Sequence, residues 1–377
     1  MKVVVVGGGI LGASAAYDLA RAGARTVLVD REAEGRATAA GAGIINPWSG
    51  IRARDPHWFN LGNASARYYP HLIAALAEDG EADTSYRRVG ALLVSADPAE
   101  LDSAEPHVRA LAAQAPEAGP VTRLAARETR ALFPPLRADL QSIHIAGGAR
   151  VDGRKLASAL RRAAMRHGLE ERRGQAELVA SGGRIRGVIC DGETIEADRV
   201  ILAAGIWAPA LLAPLSVQIP VEPQRSQIIH LQLPGADTSA WPVVSPFADH
   251  YMLAFDDSRV VVGATRETGS GADYRLTAAG IAHVLNNALS IAPGLGPATL
   301  LETRVGFRPM IAGDRPVLGP APGIEGLLIG NGLGPSGLTL GPMAGKLLAQ
   351  SALGQEVDLD LGPYRLPSPS RQPSLVA

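Results

Sequence analysis

The strongest hydrophobic pattern in the chain lies at its beginning. Four consecutive valines, Val3 to Val6, predict a buried strand, and the alanine-rich stretch from Ala13 to Ala20 predicts a helix. A second apolar run, Arg25 to Val29, predicts another strand. The segment GGGILG at 7–12 joins the first strand to the helix. This order of strand, glycine turn, helix and strand is typical of a βαβ unit in a parallel sheet.

The glycine turn has the spacing of a dinucleotide-binding motif. Gly7 permits the tight turn, Gly9 allows a pyrophosphate to approach the backbone, and Gly12 allows the helix to pack closely on the strand. The helix begins near Ile10 and Leu11, so its free N–H groups are expected to face the phosphate anion.

An acidic residue ends the second predicted strand. Asp30 follows the glycine turn by about 20 residues, where a carboxylate accepts hydrogen bonds from the hydroxyls of an adenosine ribose. The pattern therefore predicts an ADP-containing cofactor. Arg31 leaves open the 2′-phosphate of NADP as a rival ligand. A glycine-rich turn without a ligand is the other interpretation, but it leaves Asp30 and the three glycines unexplained.

The rest of the chain alternates between helical and strand patterns. Apolar residues at helical spacing predict helices at about 58–78, 99–114, 124–133, 152–167 and 277–290, and the glycine-rich segment 330–341 leads into a closing helix. Alternating or continuous apolar runs predict strands at 90–95, 142–146, 176–179, 184–190, 194–197, 199–202, 221–233, 251–255, 260–263, 303–310 and 327–329. We expect the strands between 176 and 202 to form one meander with a hairpin turn at Asp191-Gly192.

The length of 377 residues exceeds what a single hydrophobic core usually supports, so two domains are expected. We predict an α/β fold in which a Rossmann-like cofactor domain is interleaved with an α+β substrate domain built on an antiparallel sheet. The cofactor domain is assigned to residues 1–50, 145–218 and 303–377, and the substrate domain to residues 51–144 and 219–302.

Composition narrows the possible partners. The net charge of −1 gives no reason to expect binding to nucleic acid or to an anionic membrane. The single cysteine, Cys190, excludes an internal disulfide and fits a reducing compartment. No signal-peptide pattern precedes the first strand, so a cytoplasmic location is expected. The uncharged stretch 200–221 contains three prolines, so we do not expect a transmembrane helix there. The histidines lack metal-ligand spacing, and no metal site is expected.

Four blocks spread along the chain carry a family resemblance. They are VVVVGGGILGASAAYDLARAG with Asp30, ATAAGAGIINP, DRVILAAGIWA, and GFRPMIAGDRPVLGP followed by GNGLGPSGLTLGPMAGKLL. Together they resemble the glycine oxidase and D-amino-acid oxidase-dehydrogenase group of flavoproteins. The resemblance implies FAD as the cofactor, because the chain has one dinucleotide motif and no second one for NADPH.

The resemblance also implies which residues hold FAD. They are Gly7, Gly9, Ile10, Leu11, Gly12, Asp30, Arg31, Thr38, Ala42, Gly43, Ile44, Ala176, Ala204, Gly205, Trp207, Leu333, Gly334, Pro335, Ser336, Gly337, Leu338 and Thr339. The N-terminus of the closing helix would stabilise negative charge on the reduced flavin. Phe307 stands where covalently flavinylated relatives have a cysteine, so FAD is expected to be non-covalent.

Two residues are implied to bind substrate. Arg308 matches the arginine that clamps the substrate carboxylate, a task that suits the guanidinium fork. Tyr251 matches a tyrosine that donates to the same carboxylate or covers the site. The alternatives are a surface ion pair for Arg308 and a half-buried strand aromatic for Tyr251. Pro335 stands where glycine oxidases have a second arginine, so the substrate pocket is expected to differ from theirs.

The predicted reaction is oxidation of a small amino acid or amine, such as glycine, a D-amino acid or an N-alkyl amino acid. A hydride would pass from Cα–H to flavin N5, and water would hydrolyse the imine to a 2-oxo acid. Oxygen or a quinone would reoxidise the flavin. Three alternatives stay open: a 2-hydroxy acid dehydrogenase on the same FAD frame, an FAD-carrying subunit of a hetero-oligomeric amine dehydrogenase, and a pyridine-nucleotide dehydrogenase. Homo-oligomers are equally compatible with the sequence.

Overall fold

The computed structural model describes residues 1–366. Its helices are α1 Ile10–Arg21, α2 Ala37–Ala40, α3 Pro56–Glu78, α4 Pro98–Ala112, α5 Ala126–Leu132, α6 Gly153–Arg166, α7 Ala208–Leu212, α8 Ala278–Ile291 and α9 Gly337–Leu353. Its strands are β1 Lys2–Val6, β2 Arg25–Asp30, β3 Ile44–Ile45, β4 Arg87–Arg88, β5 Ala91–Ser95, β6 Val121–Leu124, β7 Gln141–Ile145, β8 Ala149–Arg150, β9 Glu170–Arg173, β10 Ala176–Ser181, β11 Arg184–Cys190, β12 Glu193–Glu196, β13 Arg199–Leu202, β14 Val221–Gln232, β15 Val243–Pro246, β16 Tyr251–Ala254, β17 Arg259–Gly263, β18 Glu267–Thr268, β19 Thr299–Ile311, β20 Val317–Pro320 and β21 Leu327–Asn331.

A six-stranded sheet contains the predicted βαβ unit. Its strand order is β20-β21-β13-β1-β2-β9, and β20 is the antiparallel edge strand. The central strands are buried on both faces, as expected of a parallel sheet covered by other elements on each side. The carboxyl ends of β1, β2 and β13 therefore meet at one edge, above which the glycine turn begins.

The meander prediction is partly wrong. Strands β10, β11 and β12 form a separate three-stranded antiparallel sheet, as predicted, but β13 pairs in parallel with β1 and β21 instead of joining them. Its three apolar residues, Val200 to Leu202, are fully buried. A continuous apolar run of this kind is typical of a central parallel strand, whereas a meander strand with one solvated face would alternate.

A nine-stranded sheet forms the second large layer. Eight of its strands follow the order β18-β14-β17-β16-β15-β5-β7-β6, and the ninth, β19, also pairs with β14. The β14–β19 ladder is antiparallel and runs from the pair Val221 and Ile311 to the pair Gln232 and Thr299. The predicted boundary at residue 303 assigns most of β19 to the cofactor domain, although its hydrogen bonds lie in this second sheet. The division into domains stays a prediction.

Helices α1 and α9 pack on each other against the six-stranded sheet, and small residues set their separation. A Cβ at Gly345 of α9 would lie 2.5 Å from the Leu11 carbonyl oxygen of α1. Gly12 instead sets the distance of α1 from the glycine turn, because a Cβ there would lie 1.9 Å from the Gly7 carbonyl oxygen. Both contacts involve backbone, which cannot move aside. The predicted N-cap of α6 is present, since the Asp152 carboxylate accepts from Arg154 N and Lys155 N.

Some short elements departed from the predictions. The helix expected at 124–133 is preceded by strand β6, which ends at Leu124, and the helix itself is α5. Strand β9, of sequence EERR, carries no apolar pattern, and it is held at the sheet edge by parallel pairing with β2. Strand β15 pairs in parallel with β5 across a long stretch of chain. Non-local pairing of this kind overrides local propensity.

Candidate active site

A cavity of about 400 Å³ opens above the carboxyl ends of β1, β2 and β13. The glycine turn forms its floor, and residues 330–334, which include the end of β21, line it as well. Gly7 has φ +104°, a backbone conformation that side chains rarely adopt, and a Cβ there would meet the Ala203 carbonyl oxygen at 2.5 Å. The turn thus needs glycine for the reason that the sequence predicts. This is the position where open α/β sheets bind their ligands.

The Asp30 carboxylate has an oxygen that can accept hydrogen bonds from a ligand with donor groups. Its Oδ1 accepts from Glu32 N at 3.1 Å, whereas the buried Oδ2 has no hydrogen-bond partner among residues 1–366. Arg36 Nη1 lies 3.5 Å from Oδ2. A Cβ at Gly8 would lie 2.5 Å from this oxygen, so the middle glycine of the turn leaves room for the carboxylate. A buried acceptor without a donor fits the ribose hydroxyls of an ADP group.

The start of α1 differs in one respect from the prediction. The Ile10 N–H is not free, because it donates to Thr38 Oγ1 at 2.8 Å. Thr38 lies in α2, so this bond ties the predicted small-residue segment to the glycine turn. The first N–H of the helix is therefore paired with Thr38, and the orientation of the helix N–H groups towards a phosphate stays a prediction. Ile10, Leu11 and Gly9 still line the cavity.

The far wall of this cavity contains an arginine stacked on a tryptophan. The Arg31 guanidinium lies 4.8 Å from the centre of the Trp207 ring, and its Nη1 donates to Gln175 Oε1 at 3.2 Å. A cation on the face of an indole is a favourable contact. Ala176 and Gly205 lie on the same wall. These residues come from three separate parts of the chain and form a flat, largely apolar surface.

A second cavity of about 240 Å³ adjoins the first. The two share five lining residues, which are Ile10, Ala37, Thr38, Gly334 and Gly337. The first turn of α9 forms one wall, held in place because Thr339 Oγ1 donates to the Ile44 carbonyl at 2.9 Å and the Tyr69 hydroxyl donates to the Leu338 carbonyl. Two contiguous cavities suit a ligand that extends from an adenosine group to a ring near the start of α9.

Gly43 lies in this second cavity but is glycine for a different reason. Its φ is +101°, and a Cβ would lie 1.8 Å from the Val151 carbonyl oxygen. The Gly43 carbonyl accepts from Val151 N at 2.9 Å. The close approach is therefore to the protein backbone, and the requirement for glycine would exist without any ligand.

Arg308 is a half-buried cation in the second cavity. Its Nη1 donates to Gln224 Oε1 at 2.9 Å and to the Thr265 carbonyl at 3.2 Å, and its Nη2 donates to Ser226 Oγ at 2.8 Å. Gln224 is its direct cross-strand partner in the β14–β19 ladder. No Asp or Glu of residues 1–366 forms an ion pair with it. Desolvation of the guanidinium is the main cause that lowers the pKa of Arg308. A partly desolvated guanidinium without a counter-ion favours binding of an anion.

Tyr251 lies beside Arg308 at the start of β16 and also lines the second cavity. A Cβ at Gly263, its cross-strand neighbour, would lie 2.7 Å from the phenolic oxygen, so that glycine leaves space for the ring. Burial raises the pKa of Tyr251, and the positive charge of Arg308 opposes this effect. The phenol therefore keeps its proton at neutral pH and is available as a donor.

The sequence reasoning missed several polar residues of the second cavity. Arg52 and Arg266 both line it, and so do Asn46 and Ser226. Asn46 Nδ2 donates to Ser49 Oγ at 2.8 Å, while the buried Oδ1 has no partner within the described chain. Arg52 and Arg266 occur in loop segments without a recognisable motif. Only the irregular crossover around IINPWSGIRARDP could have drawn attention to Arg52.

The structure places almost all predicted site residues on one of the two cavities. The first is lined by Gly7, Gly9, Ile10, Leu11, Asp30, Arg31, Thr38, Ala176, Ala204, Gly205, Trp207, Leu333, Gly334 and Gly337. The second is lined by Ala42, Gly43, Ile44, Tyr251, Arg308, Pro335, Ser336, Leu338 and Thr339. Gly12 lies on neither, because it packs α1 against the turn. Their roles towards ligands stay predictions.

Two further properties concern the part of the chain that the structure describes. Within residues 1–366, no helix combines the length and apolarity needed to cross a membrane. Over the same range, no cluster of three or more His, Cys, Asp or Glu residues is arranged to bind a metal ion. The sole cysteine, Cys190, is buried in β11 and free.

The glycine turn and the Asp30 carboxylate beside it are typical of a dinucleotide-binding protein, and a cationic cavity adjoins them. Comparison with known families gives the particular class. The model of the family described as FAD dependent oxidoreductase (DAO) matches residues 2–351. The chain therefore belongs to this family, its cofactor is FAD, and the resemblance read from the four sequence blocks is confirmed.

Individual relatives cover nearly the whole chain. An uncharacterised oxidoreductase of Bacillus subtilis, YurR, is 47% identical, with 96% of this chain and 97% of the relative covered. A glycine oxidase of Pseudomonas aeruginosa is 32% identical, with 96% and 98% covered. Among solved structures, iminodiacetate oxidase from Chelativorans sp. BNC1 superposes with a TM-score of 0.94 at 53% identity, covering 96% of this chain and 98% of that one.

Proposed function

We propose that this FAD-dependent oxidoreductase oxidises a small amine that carries a carboxylate, with an amino acid or an N-alkyl amino acid as the substrate class. The observation that carries the proposal is Arg308. A half-buried guanidinium bonded only to neutral oxygens, next to the FAD cavity, is suited to bind a carboxylate. A 2-hydroxy acid also has a carboxylate, so the amine needs further support.

The relatives support an amine. The 53% identical structure is an iminodiacetate oxidase, and the 32% identical relative is a glycine oxidase. Both names refer to compounds in which a nitrogen and a carboxylate flank one CH₂ group. The substrates to consider first are therefore glycine, sarcosine and iminodiacetate.

Asn46 gives the cavity an acceptor for the nitrogen. Asn46 lines a cavity whose other named polar side chains are mainly donors, and its buried Oδ1 has no donor of its own among the described residues. An amine N–H would satisfy it, whereas the oxygen of a deprotonated or ether substrate would not. We assign Arg308 and Tyr251 to the carboxylate and Asn46 to the amine.

The cavity orients the substrate without offering a strong base. None of the described residues that line it is Asp, Glu, His or Lys. FAD would supply the hydride acceptor for the carbon attached to nitrogen. The protein holds that carbon in place through its two flanking groups, and the amine proton is released to water. The resulting imine is hydrolysed to a 2-oxo acid and an amine or ammonia.

The test is anaerobic mixing of the purified holoenzyme with a substrate panel, followed by flavin absorbance. Glycine, sarcosine, iminodiacetate and both enantiomers of alanine represent amines, and glycolate and both lactates represent hydroxy acids. We expect at least one amine to bleach the flavin and the hydroxy acids to leave it oxidised. Bleaching by hydroxy acids alone would contradict the proposal. Admission of air then separates an oxidase, which recovers its colour at once, from a dehydrogenase that needs a quinone.

A further inference from the structure

The charge of the second cavity exceeds what one carboxylate can balance. Three arginines line it, Arg52, Arg266 and Arg308, and no acidic residue within the described chain does. A substrate with a single carboxylate would neutralise only one of the three guanidinium groups. In a partly enclosed site, where water screens charge poorly, the remaining positive charge favours a second anionic group.

Arg52 and Arg266 each form an ion pair with an aspartate. Arg52 Nε lies 3.2 Å from Asp314 Oδ2, and Arg266 Nη2 lies 3.1 Å from Asp249 Oδ1. The side chains of Asp314 and Asp249 are 41% and 80% exposed, so both carboxylates are hydrated and balance the arginines only weakly. These contacts orient the guanidinium groups of two arginines that line the cavity.

Arg52 and Arg266 approach the cavity from different elements. Arg52 lies in the 3₁₀ turn Ile51–Arg54, which precedes α3. Arg266 follows Thr265, whose carbonyl accepts from Arg308. Both are close enough that their charges lower the pKa of Arg308, after the larger effect of burial. Like charges are brought together here at a cost in folding stability, which is typical of a site built for an anion.

We propose that the substrate is a small amine with two carboxylates, and that Arg52 and Arg266 bind the second carboxylate while Arg308 binds the first. This inference rests on the proposed function and adds a substrate class and two specificity residues to it. This distribution of charge also explains why the chain can have Pro335 at the position where the resemblance to glycine oxidases implies a second arginine. In this chain the additional cations come from the 3₁₀ turn and from the loop after β17 instead.

The experiment compares ligands that differ only in the second carboxylate. Diglycolate and methoxyacetate are ether analogues of iminodiacetate and sarcosine that lack the oxidisable amine. Their dissociation constants are measured by flavin absorbance changes in the holoenzyme and in R52Q, R266Q and the double variant. We expect the parent protein to bind diglycolate at least about tenfold more tightly than methoxyacetate. The double variant should lose this preference and keep its affinity for methoxyacetate and its FAD content.

Kinetics provide the second measurement. The ratio of kcat/KM for iminodiacetate to that for sarcosine should fall by about tenfold or more in R52Q/R266Q. The matched control is R184Q, which alters an exposed arginine of the three-stranded sheet. It should change neither this ratio of kcat/KM values nor the ratio of the dissociation constants of diglycolate and methoxyacetate. Because loss of Arg52 leaves Asp314 without its partner, R52Q/D314N is included as a variant that keeps the surface charge balanced.

The outcomes separate this inference from the proposed function. Equal binding of diglycolate and methoxyacetate by the parent protein, or equal weakening of both in the double variant, would overturn the second carboxylate site. If glycine and sarcosine reduce the flavin as well as iminodiacetate does, the inference fails and the proposed function stands. If diglycolate is preferred but no amine reduces the flavin, the assignment of the arginines stands and the proposed function fails.

Discussion

Arg308 shows how one strand position determines chemistry. On β19, Arg308 contacts Gln224 and Ser226 of β14. The neutral side-chain oxygens of these two residues accept hydrogen bonds from the guanidinium and fix the orientation of its plane. A guanidinium held in this way is preorganised, so the arginine side chain loses little conformational entropy when a carboxylate binds to it.

We expect R308A to raise the apparent KM for a carboxylate-bearing amine by about 100-fold or more, because a buried, charge-assisted pair is lost. R308K should be milder, since it keeps the charge but not the fork. FAD content should stay unchanged in both. Steady-state kinetics and the ratio of flavin to protein absorbance are the measurements, with R184Q as the control. Unchanged kinetics in R308A would contradict the assignment.

For Asp30, we expect D30A to weaken FAD binding by about 10- to 100-fold, because hydrogen bonds to an ionised, buried oxygen are lost. Equilibrium dialysis with flavin fluorescence gives the dissociation constant. D139N, which alters an exposed aspartate paired with Arg137, should bind FAD normally. An unchanged FAD affinity in D30A would show that the carboxylate does not hold the ribose.

At the level of elements, α1, α3 and α9 meet around a buried carboxylate. Asp18 of α1 accepts from the Tyr68 hydroxyl of α3 at 3.3 Å, and Lys346 of α9 lies over the Tyr68 ring at 4.8 Å. Burial raises the pKa of Asp18 to about 7, while Lys346, Tyr68 and Arg21 lower it and Asp358 raises it slightly. The three helices therefore pack around a group whose charge is costly at high pH.

This arrangement predicts a pH-dependent stability. The folded protein keeps a proton on Asp18 up to about pH 7, whereas the unfolded chain releases it near its ordinary pKa of 3.8. Stability from this group therefore falls as pH rises from about 4 to 7. We expect D18N to raise the melting temperature by about 2 °C or more at pH 8 and by less at pH 5. Calorimetry at both pH values tests this, and equal changes at both would contradict it.

The contact between α1 and α9 gives a prediction on packing. G345A would place a Cβ 2.5 Å from the Leu11 carbonyl oxygen and 2.7 Å from Ser14 Cβ, so one helix must shift. We expect a loss of about 1 to 3 kcal/mol of stability and weaker FAD binding, since both helices begin at the cavities. S351A, in the same helix but only partly buried, should melt like the parent protein. A melting temperature of G345A equal to that of the parent would show that the helices tolerate the added methyl group.

For the whole molecule, the important fact is that the two cavities draw on both large sheets. The first is built on the six-stranded sheet, and the second combines α9 with Arg308 and Tyr251 of the nine-stranded sheet. A ligand that fills both would contact the two layers at once. We therefore expect bound FAD to stabilise both sheets of the protein against unfolding.

We expect the melting temperature of the protein to rise with FAD concentration, because FAD binds the folded state only. A free FAD concentration of 100 times the dissociation constant would raise the free energy of unfolding by about 2.7 kcal/mol. Thermal unfolding of protein stripped of FAD, with and without added FAD, is the measurement, and riboflavin, which lacks the ADP group, is the control ligand. A melting temperature that does not depend on FAD would argue against binding across both layers.

Much of this molecule was determined by local sequence. The glycine turn, Asp30, the N-cap at Asp152 and the long apolar strands are recognisable because each depends on residues near it in the chain. The four blocks, including the one that contains Arg308, were sufficient to predict the family and FAD. In these segments local propensity, periodicity and the required backbone geometry agree.

Only the tertiary structure decided which distant segments meet. It placed β13 between β1 and β21, gave the charged strand β9 a position at the sheet edge, and brought Arg52 and Arg266 into one cavity with Arg308. Local sequence does not specify the partners in any of these placements, because strand partners and cavity walls are selected by burial and hydrogen bonding between residues far apart in sequence. The family can thus be read from the chain itself, whereas the cluster of three arginines in the second cavity forms only when the chain is folded.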